Sequence, residues 1–324
     1  MTEFYGYHYE TITFLRELQD LEKVLGKTAN KENVKYFDKI RASIRFKHFK
    51  KTYDENILDI KGGLNDVVMN NSPIDIDKLI EGTNEILTAN RNSLQLFDML
   101  HSMRQFDDLT YVHSVNVALI ASILGQWLKF SEKDIRILTI SGLLHDIGKI
   151  MIPNEILTKP GKLTVAEYNI MKQHVNFGYE KVKNQNIDIR IKEACLLHHE
   201  KCDGTGYPFG LKSDHIPAVA KIIAIADVYD AMTSARVYRG ALCPFEVIDT
   251  MYKDAFTKFE PEYILPFLKN VASSYINNDV RLSDGRIGKV VLINENALSL
   301  PIVQCEDEFI DLSKTRGLTV SAIL

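Results

Sequence analysis

The chain has 324 residues, of which 45% are hydrophobic and 25% are charged, and its formal net charge is −4. This composition is typical of a soluble protein long enough to bury two or three cores. The charge gives no overall attraction to DNA or to anionic membranes, and no apolar run is long enough to cross a bilayer. The four separated cysteines form no C-x-x-C pair, and the N-terminus has no secretory pattern, so we expect a cytoplasmic protein.

Residues 1–100 are predicted to form a helical N-terminal region whose role the sequence does not define. Apolar residues such as Leu18, Leu21 and Leu25 recur at helical spacing, and this spacing is compatible with a homodimer. The segment from Asn70 to Pro73 interrupts the pattern, and a further helix is predicted from residue 76 to residue 87.

Residues 101–275 alternate helical runs with short polar loops and are predicted to be all helical. Ser131 is a candidate N-cap, and Thr164 with Glu167 is a candidate capping box. The helix that begins at this capping box is expected to continue through His174. Residues 279–324 contain alternating apolar residues and an Asp-Gly turn, which predict a small β appendix supported by the helical body.

Seven metal-capable side chains occur in short, separated motifs, and five of the nine histidines are among them: His113, His145, Asp146, His174, His198, His199 and Asp227. Neutral imidazole and carboxylate are ligands that suit Fe, Mn and Zn. Seven ligands exceed the need of one ion and suit two ions that share a carboxylate. Such a pair of ions can promote in-line attack on phosphorus, so the pattern favours a hydrolase.

Each of these motifs is weak by itself. A pair such as His198 and His199 is more often one core and one surface histidine than two ligands. Asp227 lies in an apolar helical stretch, where an unpaired carboxylate would be costly and metal ligation removes the cost. Together the motifs favour ligation. Asp146 has two oxygens and can bridge two ions, and Lys149 is spaced to lie on its face of the helix.

Five segments resemble the motifs of the HD-GYP family. They are HSVNV (113–117), LLHDIGK (143–149), KQH (172–174), HHEKCDGTGYP (198–208) and DVYDAMTS (227–234). All five occur in order between about residues 100 and 270, which is roughly half of the chain. The resemblance implies a mainly α protein, with an all-helical HD-GYP catalytic domain between the helical N-terminal region and the β appendix.

The resemblance also implies an activity. It is the hydrolysis of the bacterial second messenger cyclic di-GMP to pGpG, and in some members to GMP, with Fe or Mn ions. One ion is then expected on His113, His145, Asp146 and Asp227. The second is expected on Asp146, His174, His198 and His199. Asp146 would be the bridge, and a bridging hydroxide would attack phosphorus.

Further roles come from the same resemblance. Lys149 is expected to bind a phosphate, Asp230 to lie near the substrate, and Arg236 and Arg239 to bind the other phosphate or a guanine edge. Tyr207, in the Gly-Tyr-Pro loop, is a candidate contact for the ligand or for a partner, including a domain that synthesises cyclic di-GMP.

The chain differs from the family pattern at two positions, and two other functions stay open. Members with three ions have a glutamate where this chain has Leu109, so two ions are predicted, and Lys201 replaces the usual arginine. The alternatives are a phosphodiesterase for cyclic GMP-AMP and a non-catalytic sensor of cyclic dinucleotides. A mononucleotide-specific nucleotidase would need neither the His-His pair nor the Gly-Tyr-Pro loop, so the sequence argues against that activity.

Overall fold

The computed structural model describes residues 40–90, 96–97, 99–100, 103, 109–159, 161–233 and 242–324. The helix predicted near residues 18–25 lies outside these ranges. The described residues form eleven α-helices: α1 (Ile44–Asn70), α2 (Ile76–Ala89), α3 (Leu109–Trp127), α4 (Glu132–Leu144), α5 (Asn154–Leu157), α6 (Val165–Met171), α7 (His174–Val182), α8 (Ile189–Leu197), α9 (Ala218–Thr233), α10 (Pro244–Asp254) and α11 (Pro261–Ser273). The predicted mainly α fold is confirmed.

Helices α1 and α2 pack on the helices that carry the motifs. The Ser43 side chain caps α1 by accepting a hydrogen bond from the Phe46 amide, and Asn71 ends the helix in the left-handed conformation. Phe49, Tyr53 and Ile60 of α1 are buried in the same apolar core as α3 and α9. The described part of the N-terminal region is therefore continuous with the motif-bearing bundle.

Helix α3 is the central element of that bundle, and it packs against α4 and α9. Gly142 of α4 lies against Ala118 of α3 so closely that a Cβ at position 142 would overlap the Ala118 backbone. In the residues that the structure describes, no helix is both long and apolar enough to cross a membrane.

The helix expected from Thr164 through His174 is two helices, and the predicted continuity is wrong. The capping box of Thr164 and Glu167 is present and opens α6, which ends at Met171. Helix α7 then begins at His174, whose Nδ1 lies 2.7 Å from the carbonyl oxygen of Met171. This side-chain contact uses a carbonyl that is free because α6 has ended.

A short 3₁₀ turn, Ile147–Met151, follows α4 and carries Gly148 and Lys149. It packs closely against α7. A Cβ on Gly148 would overlap the carbonyl oxygen of His174 and the amide nitrogen of Gly178. Glycine at position 148 therefore lets two site-bearing segments lie against each other.

The β appendix is a five-stranded antiparallel sheet with strands β1 (Asp279–Leu282), β2 (Ile287–Leu292), β3 (Ile302–Cys305), β4 (Glu308–Asp311) and β5 (Val320–Ile323). Its strand order is β4-β3-β2-β1-β5. Gly285 takes a positive φ of 93° in the turn between β1 and β2, as the Asp-Gly pattern predicts. Val280, Val290 and Val303 are buried and belong to the same apolar core as the helices.

We expect Gly148→Ala to destabilise the protein by about 1–3 kcal/mol or more, because the added methyl group meets backbone atoms that cannot rotate away. Gly62→Ala is the matched control, since Gly62 is an exposed residue of α1 with open space around its Cβ direction. The control should gain about 0.5–1 kcal/mol from helix propensity. Denaturant unfolding of both variants checks this, and equal stability of the two would contradict it.

A pH-dependent contribution is expected from Glu167. Its carboxylate accepts hydrogen bonds from Lys159 and from the Thr164 amide, and these lower its pKa from the usual 4.5 to about 2. A lowered carboxyl pKa stabilises the fold above the unfolded value, and this contribution is lost as pH falls through the folded value. Glu167→Gln should therefore lower the melting temperature at neutral pH, and the difference from wild type should shrink between pH 4.5 and 2. Glu155→Gln, at an exposed position of α5, is the control for the loss of one surface carboxylate.

Candidate metal centre

The seven candidate ligands converge from five parts of the fold. His113 lies on α3, His145 and Asp146 follow α4, His174 begins α7, His198 and His199 follow α8, and Asp227 lies on α9. The contacts among them place these side chains in one cluster. The sequence separates them by up to 114 positions, and the helical bundle brings them together.

The carboxylate of Asp146 is the centre of the cluster. Its Oδ2 lies 3.2 Å from Nε2 of His145 and 3.6 Å from Nε2 of His113. Its Oδ1 lies 3.3 Å from Nε2 of His174 and 3.7 Å from Nε2 of His198. One carboxylate oxygen therefore faces each side of the cluster.

Two ligand groups share this carboxylate. The donor atoms of His113, His145 and Asp146 lie within 4.8 Å of one another, and so do those of Asp146, His174, His198 and His199. Asp227 lies beside both groups, with its Oδ1 2.9 Å from His113 Nε2 and its Oδ2 3.9 Å from His199 Nδ1. The arrangement offers two adjoining sites with Asp146 between them.

Three of the histidines are oriented by backbone carbonyl groups. Nδ1 of His145 lies 2.8 Å from the Gly142 carbonyl oxygen, and Nδ1 of His198 lies 3.0 Å from that of Ala194. His174 makes the corresponding contact described above. An Nδ1–H group donates to each carbonyl, so Nε2 presents its lone pair to the cluster, as a metal ligand must.

The buried polar atoms fit a metal ion. Among the described residues, Nε2 of His145 and Oδ1 of Asp146 are buried without a hydrogen-bond partner. Unpaired buried acceptors of this kind are costly, and a cation removes the cost. The donor set of imidazoles and carboxylates is also one that Fe, Mn and Zn accept.

Burial favours neutral imidazoles at His174 and His199, beside the charged carboxylate of Asp146. Burial lowers the pKa of His174 to about 3 and that of His199 well below its usual value. Burial opposes ionisation of Asp146, but nearby His145 and Lys149 outweigh it and hold the carboxyl pKa well below its usual range. The Nζ of Lys149 contacts Asp146 Oδ2, so this lysine lies at the cluster as the sequence predicted.

His113 differs from the other histidines in its partners. Burial alone would lower its pKa, but hydrogen bonds with Asp227 and Asp230 raise the pKa to about 9. Asp230 is buried, with Oδ2 2.7 Å from His113 Nδ1 and Oδ1 accepting a 2.9 Å hydrogen bond from Nδ2 of Asn116. The carboxylate of Asp230 thus contacts a candidate ligand and an amide, and its expected place near the substrate stays a prediction.

The Gly-Tyr-Pro loop is folded onto His199. The ring of Tyr207 stacks on the imidazole with a centroid distance of 4.7 Å and an interplanar angle of 25°. The amide of Tyr207 donates to the His199 carbonyl at 3.2 Å. Lys172 Nζ lies 5.9 Å from the centroid of the same tyrosine ring. Tyr207 therefore borders the candidate ligands, as a contact residue would.

Glu200 fixes this loop, a role that none of the sequence motifs predicts. Its buried carboxylate accepts hydrogen bonds from the amides of Phe209 at 2.7 Å and Leu211 at 2.8 Å. A Cβ on Gly206 would overlap the backbone of Glu200, so glycine permits the close return of the chain. The position of Glu200, directly after two candidate ligand histidines, is the signal in the sequence that could have indicated this role.

Three residues of the sequence analysis lie beyond what the structure describes. Arg236 and Arg239 are outside the described ranges, and so is the side chain of Leu109. The expectations for the two arginines and for the number of ions stay predictions.

Comparison with known proteins places this cluster in a family. A family model described as HD domain matches residues 82–263, which is more than half of the chain. The chain belongs to the HD domain family. The match spans every candidate ligand of the HD-domain cluster and begins within α2.

Curated relatives share this HD-domain region. A cyclic di-GMP phosphodiesterase of Pseudomonas aeruginosa is 36% identical over 203 residues, which are 62% of this chain and 49% of that protein. A 3'3'-cGAMP-specific phosphodiesterase of Vibrio cholerae is 30% identical over 216 residues, 65% of this chain and 40% of that protein. The chain thus spans about half or less of the length of these relatives.

The overall HD-domain fold also has a solved counterpart. A structure described as an HDG"Y"P protein from Bdellovibrio bacteriovorus aligns with a TM-score of 0.51 at 17% identity, covering 73% of this chain and 76% of that one. At this identity the likeness concerns the fold. The family model and the relatives confirm the HD-GYP assignment that the motifs predicted.

We expect Asp146→Asn to lose metal affinity by more than the roughly 10–100-fold that is typical when a residue hydrogen-bonded to a metal ligand is replaced. Asparagine carries no charge and offers one oxygen in place of two, so it cannot present a charged oxygen to each ligand group. Elemental analysis of the purified protein and competition with a chelator measure the loss. His215→Ala, at an exposed histidine outside the cluster, is the control and should bind like wild type. Full metal content in Asp146→Asn would contradict a central role of this carboxylate.

Proposed function

We propose that this protein is a metal-dependent phosphodiesterase that hydrolyses cyclic di-GMP to pGpG, and further hydrolysis of pGpG to GMP belongs to the same proposal. The observation that carries the proposal is the buried Asp146 carboxylate shared by two groups of imidazoles, with Lys149 in contact with it. The name of the Pseudomonas relative supports the same substrate. The shared carboxylate suits two ions acting on one phosphodiester bond.

The proposal divides the ligands into two sets with Asp146 in common. The first ion would be held by His113, His145, Asp146 and Asp227, and the second by Asp146, His174, His198 and His199. Divalent ions bound in these sets, Fe or Mn by the family resemblance, would supply Lewis acidity and activate water at neutral pH.

The protein's own residues supply orientation and charge. The carbonyl contacts of His145, His174 and His198 fix the imidazole planes before any ligand binds. Lys149 is only partly buried, so its ammonium group can reach a phosphate oxygen beside Asp146. Arg236 and Arg239 are proposed to bind the second phosphate or a guanine edge, and Tyr207 to contact a base.

Cyclic GMP-AMP is the second candidate substrate. The Vibrio relative is named for 3'3'-cGAMP and matches a similar share of this chain. The side chains around Asp146 would act on the phosphodiester group, which both dinucleotides contain, so they do not distinguish the two substrates. A non-catalytic sensor is disfavoured, because the chain keeps all seven candidate ligands in one cluster.

The loop from Gly204 to Pro208 is the proposed contact for a partner domain that synthesises cyclic di-GMP. Phe209, next to this loop, has 63% of its surface exposed, although its amide is fixed by Glu200. Aromatic side chains are enriched in protein interfaces, and Glu200 fixes the backbone that presents this one. A homodimer and a cytoplasmic location belong to the same proposal.

A dinucleotide panel tests the activity. Protein loaded with Mn or Fe is incubated with cyclic di-GMP, cyclic GMP-AMP and cyclic di-AMP, and the products are identified by mass spectrometry. We expect cyclic di-GMP to give pGpG. Lys149→Met should lower kcat/KM by roughly 10²–10³-fold, since a charge that faces the reacting phosphate is removed. His215→Ala should match wild type. Binding without turnover would indicate a sensor, and turnover of cyclic GMP-AMP alone would favour the second candidate.

A further inference from the structure

A line of buried polar side chains joins helix α1 to the candidate ligand His113. Tyr53, with no exposed surface, has its hydroxyl 2.5 Å from Oδ1 of Asn116. Nδ2 of Asn116 lies 2.9 Å from Oδ1 of Asp230, and Oδ2 of Asp230 lies 2.7 Å from Nδ1 of His113. Four residues from three helices thus form one continuous hydrogen-bonded chain.

The donor and acceptor capacities of the four side chains give this row of hydrogen bonds one direction. A carboxylate only accepts, so the Asn116 amide group donates to Asp230 and turns its oxygen toward Tyr53, whose hydroxyl donates to it. Asp230 also accepts from His113 Nδ1–H. Nε2 of His113 then faces Asp227 and Asp146. Each bond fixes the orientation of the next group, and the last group oriented is a candidate ligand.

We propose that Tyr53 is a positioning residue for His113 and acts through Asn116 and Asp230. The inference rests on the proposed metal centre. It also goes beyond it, because Tyr53 precedes the 82–263 segment that matches the HD domain. Helix α1 therefore contributes to the site, and the described N-terminal helices are part of the functional unit.

The surroundings of Tyr53 keep this contact in place. Burial and the charge of Asp230 raise the tyrosine pKa well above its usual value, so the hydroxyl remains a donor. The ring packs on Phe49 at a centroid distance of 5.4 Å. The same hydroxyl lies 3.4 Å from the Val112 carbonyl oxygen, which is a longer and weaker contact than the one to Asn116.

Tyr53→Phe tests the proposal, because it removes one oxygen and keeps the packed ring. Asn116 then loses the donor that fixes its amide, and His113 is held less firmly through Asp230. We expect Mn affinity, measured by competition with a chromophoric chelator, to fall by roughly 3–10-fold, less than for direct partners of ligands. We expect kcat to fall with little change in KM. The d–d spectrum of the Co(II)-substituted protein should also change.

Tyr111→Phe is the matched control. Its hydroxyl donates to Asn65 Oδ1 at 3.2 Å, so it also forms a Tyr–Asn bond between α3 and α1, and this bond is not part of the chain to His113. The control should keep the Mn affinity and the Co(II) spectrum of wild type. Equal losses in both variants would mean that the tyrosines act through helix packing, and the proposal would be overturned.

A second comparison tests whether the residues act in series. In an Asn116→Ala background, Tyr53→Phe should cause no further loss of Mn affinity, because the link to Asp230 is already broken. Independent, additive losses would overturn the relay. Circular dichroism and thermal unfolding confirm that each variant is folded before its affinity is measured.

The outcomes separate this inference from the proposed function. Metal binding by wild type without hydrolysis of any dinucleotide would reject the phosphodiesterase, while the affinity comparison would still decide the role of Tyr53. Hydrolysis by wild type together with unchanged affinity and spectrum in Tyr53→Phe would reject the role of Tyr53 and leave the phosphodiesterase standing. Loss in Tyr53→Phe, no loss in Tyr111→Phe and no added loss in the Asn116→Ala background support the relay.

Discussion

The burial of the Asp146 carboxylate is the constraint on which the rest of the structure depends. A charged carboxylate away from water is very costly unless cations or hydrogen bonds compensate it. Here Lys149 contacts one carboxylate oxygen, and the Nε2 atoms of histidines on separate helices face the carboxylate, so a cation held between them would supply the remaining compensation. The bundle must therefore bring the ends of α4, α8 and the start of α7 to one point, and Gly142 and Gly148 permit the close backbone contacts that this requires.

The ends of the helices supply the carbonyl groups that orient three candidate ligands. His145, His174 and His198 each place Nδ1 against a carbonyl oxygen three or four residues earlier, at a point where a helix has just ended. The last carbonyls of a helix lack part of their intrahelical bonding and can accept from a side chain, although that of Ala194 also accepts from the His198 amide. The break between α6 and α7 thus provides the acceptor for His174, and a continuous helix would have removed it.

The sequence predicted the candidate ligands and most of the secondary structure because both depend on local signals. The capping box at Thr164, the Asp-Gly turn and the histidine motifs each lie within a few residues. The contacts of Asp230 and the roles of Glu200 and Asn116 were not predicted, since motif spacing does not show which side chains meet. Tyr53 and Asn116 are separated by 63 positions, and no pattern in the chain pairs them.

The β appendix shares its apolar interior with the helices. Val280 and Val290 lie in the same buried cluster as Ile248 of α10 and Phe267 of α11, and Ser299 hydrogen-bonds Asp249. The sheet therefore covers helical surface that would otherwise meet water. A shortened protein ending near residue 275 would expose this apolar surface and would tend to aggregate. Poor solubility of such a fragment would then reflect its missing cover rather than any defect in the catalytic machinery.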